Sequence, residues 1–160
     1  MLTPLHEKSI RSVAAATCLL AFAASPLHAD VEFLNASGIM PEGVPFSEVV
    51  RVRNTYYLSG QVGVIPGKLA LVPGGMEAEA RQTMENIGTI LAQYNLGFDN
   101  LVKCTVMLAD MSEWGAFNDI YRSYLTPPYP ARSALGTNGL ALDARVEVEC
   151  IATADQSPAS

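Results

Sequence analysis

An arginine behind a stiff proline-rich lead-in, and two glutamates one residue apart, are the side chains of this sequence best placed to do chemistry. Pro127, Pro128 and Pro130 precede Arg132. Each proline ring fixes φ and biases the residue before it away from helix, so the backbone reaches Arg132 extended and pre-ordered. A guanidinium is always charged, and its rigid fork of donors matches a carboxylate. Glu147 and Glu149 lie in the alternating run Arg145 to Ala152, which places both on one face of a strand. A fixed cation for an acid, with a carboxylate able to handle a water, are the parts of a small-molecule hydrolytic site. His6 and His28 both fall in the first 29 residues. The remainder therefore has no Ser-His-Asp triad, no Cys-His pair and no histidine zinc site. Pro73-Gly74-Gly75 lacks the Gly-Lys-Ser/Thr ending of a phosphate loop.

Those residues need a scaffold, and the chain is long enough for one domain with a core. It has 160 residues, 49% of them hydrophobic, and a net charge of −6. The acidic balance argues against a nucleic-acid surface, which needs clustered Lys and Arg. Residues 1–29 read as a secretory signal. Lys8 and Arg11 open it, Val13 to Ala24 is an apolar run, Pro26 breaks it, and Ala29 offers a cleavage site before Asp30. The expectation is a periplasmic or secreted protein whose domain spans residues 30–160, with no membrane attachment in the mature form. An exported protein with Cys104 and Cys150 invites a disulfide. Both cysteines sit among apolar neighbours in strand patterns, and two buried free thiols are the preferred reading.

Residues 30–45 read as an irregular lead-in rich in Gly and Pro. Phe46 to Arg51 and Thr55 to Ser59 read as a strand pair around the turn Arg53-Asn54. From Met76 to Tyr94, apolar residues recur at three- and four-residue spacing, which predicts a helix. Arg81 on it pairs with Glu77 or Glu85. Leu101 to Leu108 is a strand. Asp110 with Glu113 fits a capping box for a second helix, whose stripe Trp114, Phe117, Ile120, Tyr121 and Tyr124 reads as core. Strands near 132–135 and 145–153 complete the domain, and residues 156–160 form a frayed tail. Two amphipathic helices need one sheet face to cover, so the fold class is α+β, a two-layer sandwich with its other sheet face uncovered.

Five short motifs occur in order over roughly residues 45–153. They are Leu58-Ser59-Gly60-Gln61, Ala80-Arg81-Gln82 with Glu85-Asn86, Val102 to Val106, Pro130-Ala131-Arg132-Ser133, and Val146 to Glu149 with Ile151-Ala152. In this the sequence resembles the RidA family, also called YjgF/YER057c/UK114, the enamine/imine deaminases. The resemblance implies a mixed sheet of chorismate-mutase-like fold, a homotrimer with its sites between subunits, and no metal or cofactor. It implies that Arg132 grips the carboxylate of a 2-imino acid. Glu149 then directs a water at the imine carbon, giving a 2-keto acid and ammonia. Phe46, Ser59, Gly60, Asn86 and Ser133 would bind substrate. The sequence departs from the family in three places. The segment Gly136 to Leu142 is about two residues longer, Ala134 stands where a cysteine is frequent, and Phe46 stands where tyrosine is frequent. Two other functions compete: a trimer that binds small carboxylates without turnover and, third, a ribonuclease.

Overall fold

The computed structural model describes residues 30–155. The expected leader (1–29) and tail (156–160) lie outside the described residues. The described residues form six strands and two α-helices in the order β-β-β-α-β-α-β-β. The strands are β1 (Val31–Leu34), β2 (Val49–Val52), β3 (Thr55–Val62), β4 (Leu101–Leu108), β5 (Ala131–Gly136) and β6 (Val146–Thr153), and the helices are α1 (Gly75–Ala92) and α2 (Trp114–Ser123). One sheet runs in the order β1-β2-β3-β6-β4-β5. Every pair is antiparallel except β4–β5, which α2 joins as a crossover. This is the mixed-sheet α+β layer expected.

The two helices contact each other and lie on one face of the sheet. Met84, Ile87 and Ile90 of α1 and Phe117 and Ile120 of α2 are buried there. Leu58, Val106, Leu108, Val146 and Val148 of the strands are buried with them. Alternation then turns the next residue of each strand to the other face, which no element among the described residues covers. Phe33, Tyr57, Thr105, Glu147, Glu149 and Ile151 stand on that open face, with Phe33 and Tyr57 exposed.

Four details depart from the sequence reading. The lead-in is not wholly irregular: Val31 to Leu34 pairs with β2, and Glu32 forms an ion pair with Arg51 across the ladder. The second strand begins at Val49 rather than Phe46, because Glu48 is drawn into the preceding loop. Its carboxylate accepts from the Ser37 hydroxyl and amide, and its own amide donates to Asn35 Oδ1. The capping box is half formed. Asp110 accepts from the Ser112 amide at 2.8 Å, but Glu113 turns to Arg145 instead. Finally, Cys104 and Cys150 are joined in a disulfide rather than left as free thiols. They face each other in register on β4 and β6, 4.2 Å apart at Cα and buried beneath the helices. Register decides this, and neighbouring residue types do not reveal it.

Candidate functional site

Arg132 lies on β5, the edge strand, and pairs in register with Cys104 of β4. It therefore shares the helix-covered face. Its guanidinium stands 5.0 Å from the centre of the Tyr121 ring and 6.0 Å from that of Trp114. Stacking on aromatic faces holds a cation in place while leaving its edge donors available. A hollow of about 410 Å³ opens beside it, lined by Trp114, Asn118, Tyr121, Arg122, Tyr129, Pro130 and Arg132. Two buried polar atoms there, Asn118 Oδ1 and the Tyr121 hydroxyl, have no hydrogen-bond partner. Burial pushes the Tyr121 phenol up, and the Arg132 charge partly offsets this. Among the described residues no carboxylate lies within ion-pairing distance of Arg132. An unpaired guanidinium beside an unpaired amide oxygen and a neutral phenol suits a small organic acid that brings its own carboxylate.

A second hollow, of about 390 Å³, holds Phe46, Ser59, Gly60 and Glu147. Glu147 packs directly on the backbone of Gly60. A Cβ at Gly60 would fall 2.9 Å from Glu147 Cδ and closer still to its Oε1, so a larger residue there would displace the Glu147 carboxylate. Burial raises the Glu147 carboxyl above the ordinary glutamate value, and the nearby charge of Glu149 adds to the rise. A carboxylate poised upward in this way is a better base near neutral pH. The Ser59 hydroxyl already donates to the Ser47 carbonyl at 2.7 Å, leaving its amide neighbourhood and Gly60 as the polar wall.

The residues expected at the site fall into three groups. Phe46, Ser59 and Gly60 line one hollow together. Glu149 shares the strand face of Glu147 but opens onto a separate hollow with Tyr57, Lys103, Thr105 and Ile151. Ser133 stands beside it, aligned through Thr105, and its hydroxyl accepts from Lys103 Nζ at 3.0 Å. Asn86 is not at a site. It is 1% exposed, and its amide nitrogen donates to the Val62 and Val64 carbonyls at 3.2 and 3.0 Å. It ties α1 to the end of β3, which corrects the expectation that it binds substrate. The polar amide that faces a hollow is Asn118.

Asn118 and Tyr121 are the residues that sequence reasoning missed, and of the two glutamates it singled out, it gave the chemistry to Glu149 rather than Glu147. Trp114, Asn118 and Tyr121 recur at four- and three-residue spacing, so they share a helix stripe. That stripe reads as core, and Phe117 and Ile120 are core, yet Trp114 is largely exposed over Arg132. Glu147 and Glu149 have the same strand parity, and only the contact with Gly60 separates them.

Within one chain the two halves do not meet. Arg132 has the parity of Cys104, toward the helices, and Glu147 has the opposite parity. The Arg132 cation and the Glu147 carboxyl thus occupy different faces of one sheet. The family model described as Endoribonuclease L-PSP matches residues 39–154. The 2-iminobutanoate/2-iminopropanoate deaminase of Mus musculus is 46% identical over 108 residues, covering 68% of this chain and 80% of that protein. The Homo sapiens protein of the same name is 41% identical over 108 residues, with 68% and 79% covered. Among solved structures, yeast Mmf1 superposes with a TM-score of 0.72 at 32% identity, covering 78% of this chain and 98% of its own. RidA from an Antarctic Psychrobacter species gives 0.70 at 33% identity, with 76% and 98% covered. The chain belongs to the RidA/YjgF family, to which that model corresponds.

Proposed function

We propose that this protein hydrolyses reactive 2-imino and enamine acids to 2-keto acids and ammonia. The observation that carries the reading is the unpaired Arg132 beside unsatisfied Asn118 and Tyr121, matched by a desolvated Glu147 on the opposite face. Arg132 binds the substrate carboxylate through two parallel hydrogen bonds. Glu147, its basicity raised by burial and by the Glu149 charge, takes a proton from a water. The water oxygen bonds to the imine carbon while the C=N π electrons move to nitrogen. Glu147 returns that proton to the nitrogen, giving the carbinolamine; it then takes the hydroxyl proton and passes it to the nitrogen, so that the C–N bond breaks and ammonia leaves as the carbonyl forms. Glu149 acts here through charge on its neighbour, in place of the direct role the resemblance suggested.

Three further features belong to this proposal. The assembly is a homotrimer, because the halves of the site need a second copy and because Phe33 and Tyr57 leave an apolar stripe on the open face. The protein is exported, a reading supported by the basic and apolar leader and by the buried disulfide, which suits an oxidising compartment. Small acids, rather than nucleic acids, are the partners. The net charge of −6 and the lack of histidine after residue 29 weigh against a ribonuclease. A carboxylate such as Glu147 beside a bound acid would repel it, which disfavours a site made only for binding. Imine generated in place by an amino-acid oxidase should disappear faster, with release of ammonia, when the purified protein is added. No acceleration at any protein concentration would overturn the proposal.

A further inference from the structure

We infer that the preferred substrates are 2-imino acids with a bulky apolar side chain, of the size of leucine, methionine or phenylalanine, rather than those with a methyl or ethyl group. This rests on the imine-hydrolase reading above. Beyond Glu147 and Gly60, the second hollow is walled by Met40, Val44, Phe46, Leu69, Ala141 and Leu142. Three of these are large side chains left in water: Phe46 is 42% exposed, Leu69 55% and Leu142 45%. Gathered around one concavity with a desolvated carboxylate, they mark a surface shaped for an apolar group.

The backbone beneath Leu142 gives an independent reason. Leu142 sits at φ +60°, ψ 20°, and Asp143 also has φ +60°. A bulky L-residue adopts the left-handed region only when its surroundings impose it, and such strain gathers at ligand clamps. The surroundings here are explicit. The Arg145 amide donates to the buried Glu79 carboxylate at 2.7 Å, and the Arg145 guanidinium pairs with Glu113. The turn is therefore held from its C-terminal side, and Leu142 is presented at the rim of the hollow. This is the segment that is longer than is usual in the family.

The wall also excludes other substrates. Among the described residues, apart from Glu147, the only side-chain hydroxyl or charge lining the hollow is the Ser59 hydroxyl, and that is engaged with the Ser47 carbonyl. A polar substrate side chain would lose water without gaining a partner. An acidic one would meet the Glu147 carboxylate. A methyl group would leave most of a hollow of about 390 Å³ unfilled.

The test uses the full protein and a broad-specificity amino-acid oxidase. The imines of leucine, phenylalanine and alanine are generated in turn, and kcat/KM is compared. One methylene in an apolar pocket discriminates roughly 10- to 200-fold, so the leucine imine should exceed the alanine imine by at least about tenfold even at a half-open wall. Leu142→Ala should cut that ratio to about threefold or less, with the loss in KM. Calorimetry without any variant should show 4-methyl-2-oxopentanoate binding more tightly than pyruvate. Equal or better hydrolysis of the alanine imine by the wild type would overturn the inference while leaving imine hydrolysis standing. Hydrolysis of no imine would instead remove the functional reading beneath it. Leu142→Asp that dissociates the oligomer, with an unchanged leucine-to-alanine ratio in Leu142→Ala, would assign the apolar rim to contact between copies and also overturn it.

Discussion

Reducing the Cys104–Cys150 disulfide should cost this domain about a quarter or more of its stability. The bond closes a loop across a sequence separation of 46 residues. In the chain-entropy account, opening a loop of that length restores about 4 kcal/mol of freedom to the unfolded chain. Ordinary domains have roughly 5–15 kcal/mol in total, so the loss is large but survivable. Both sulfurs lie in the core at 0% and 2% exposure, so the reduced thiols keep most of their packing. With a urea slope near 2 kcal/mol/M, the midpoint should fall by about 2 M. The assay is urea unfolding of oxidised protein and of protein reduced in denaturant and refolded under reductant. Fluorescence of the single tryptophan, Trp114, and far-UV dichroism follow the transition. Reduction should raise the slope somewhat, because the unfolded chain without the cross-link is less compact and exposes more surface. Coincident midpoints would refute the loop-closure reasoning. Alkylation of Cys104 and Cys150 in denatured, unreduced protein, seen by mass spectrometry, would refute the bond itself.

The other predictions concern the divided site. Arg132→Lys should lower kcat/KM by roughly 30- to 5000-fold, the equivalent of about 2–5 kcal/mol, with the fold and oligomer intact, because an ammonium lacks the bidentate fork. Full activity in that variant would end the clamp model. The acid limb of the pH–rate profile should lie above the ordinary glutamate value of 4.5, since Glu147 must be deprotonated and its carboxyl is raised by burial and then by Glu149. Glu149→Gln should move that limb to lower pH, and Glu147→Gln should unfold at higher denaturant than wild type at neutral pH but not at pH 3, where both states are protonated. Light scattering should report a trimer. In it, Arg132→Ala and Glu147→Gln chains mixed one to one and co-refolded should regain about a quarter of wild-type activity, because one site in four draws both intact residues from neighbouring copies. No recovery in mixed trimers would place the two residues in one chain's site.

The layer architecture was legible from pattern, because helical period, strand alternation and proline stops are local signals. The periodic stripe of α1 and the run Leu101 to Leu108 emerge close to where they were expected. Arg132 lines one hollow, and Phe46, Ser59 and Gly60 line another; the short motifs that carry them could be read locally. What failed depends on pairing between distant residues. Nothing local shows that Cys104 faces Cys150, or that Gly60 lies against Glu147 rather than near Glu149. Asn86 and Asn118 both look like helix amides beside apolar residues. Only the Val62 and Val64 carbonyls facing the first, and an empty hollow facing the second, tell them apart. The edge strand β1 was hidden because four residues among glycines and prolines carry too short an alternation to read.

One register accounts for both the disulfide and the division of the site. Cys104 faces Cys150 on one side and Arg132 on the other, so all three point toward the helices. Glu147 and Glu149 flank Val148 and Cys150 in β6 and must point away. A shift of β6 by one residue would bring the glutamates to the cation's face, but it would bury two carboxylates under α1 and break the disulfide. The sheet therefore cannot unite cation and base within one chain without losing its core. Trp114, Asn118 and Tyr121 gather around Arg132 at the sheet edge, and Phe46, Gly60 and Leu142 gather around Glu147 on the open face. In the proposed trimer, packing the edge of one copy against the open face of the next would join what a single fold must keep apart, and the same contact would exclude water from both.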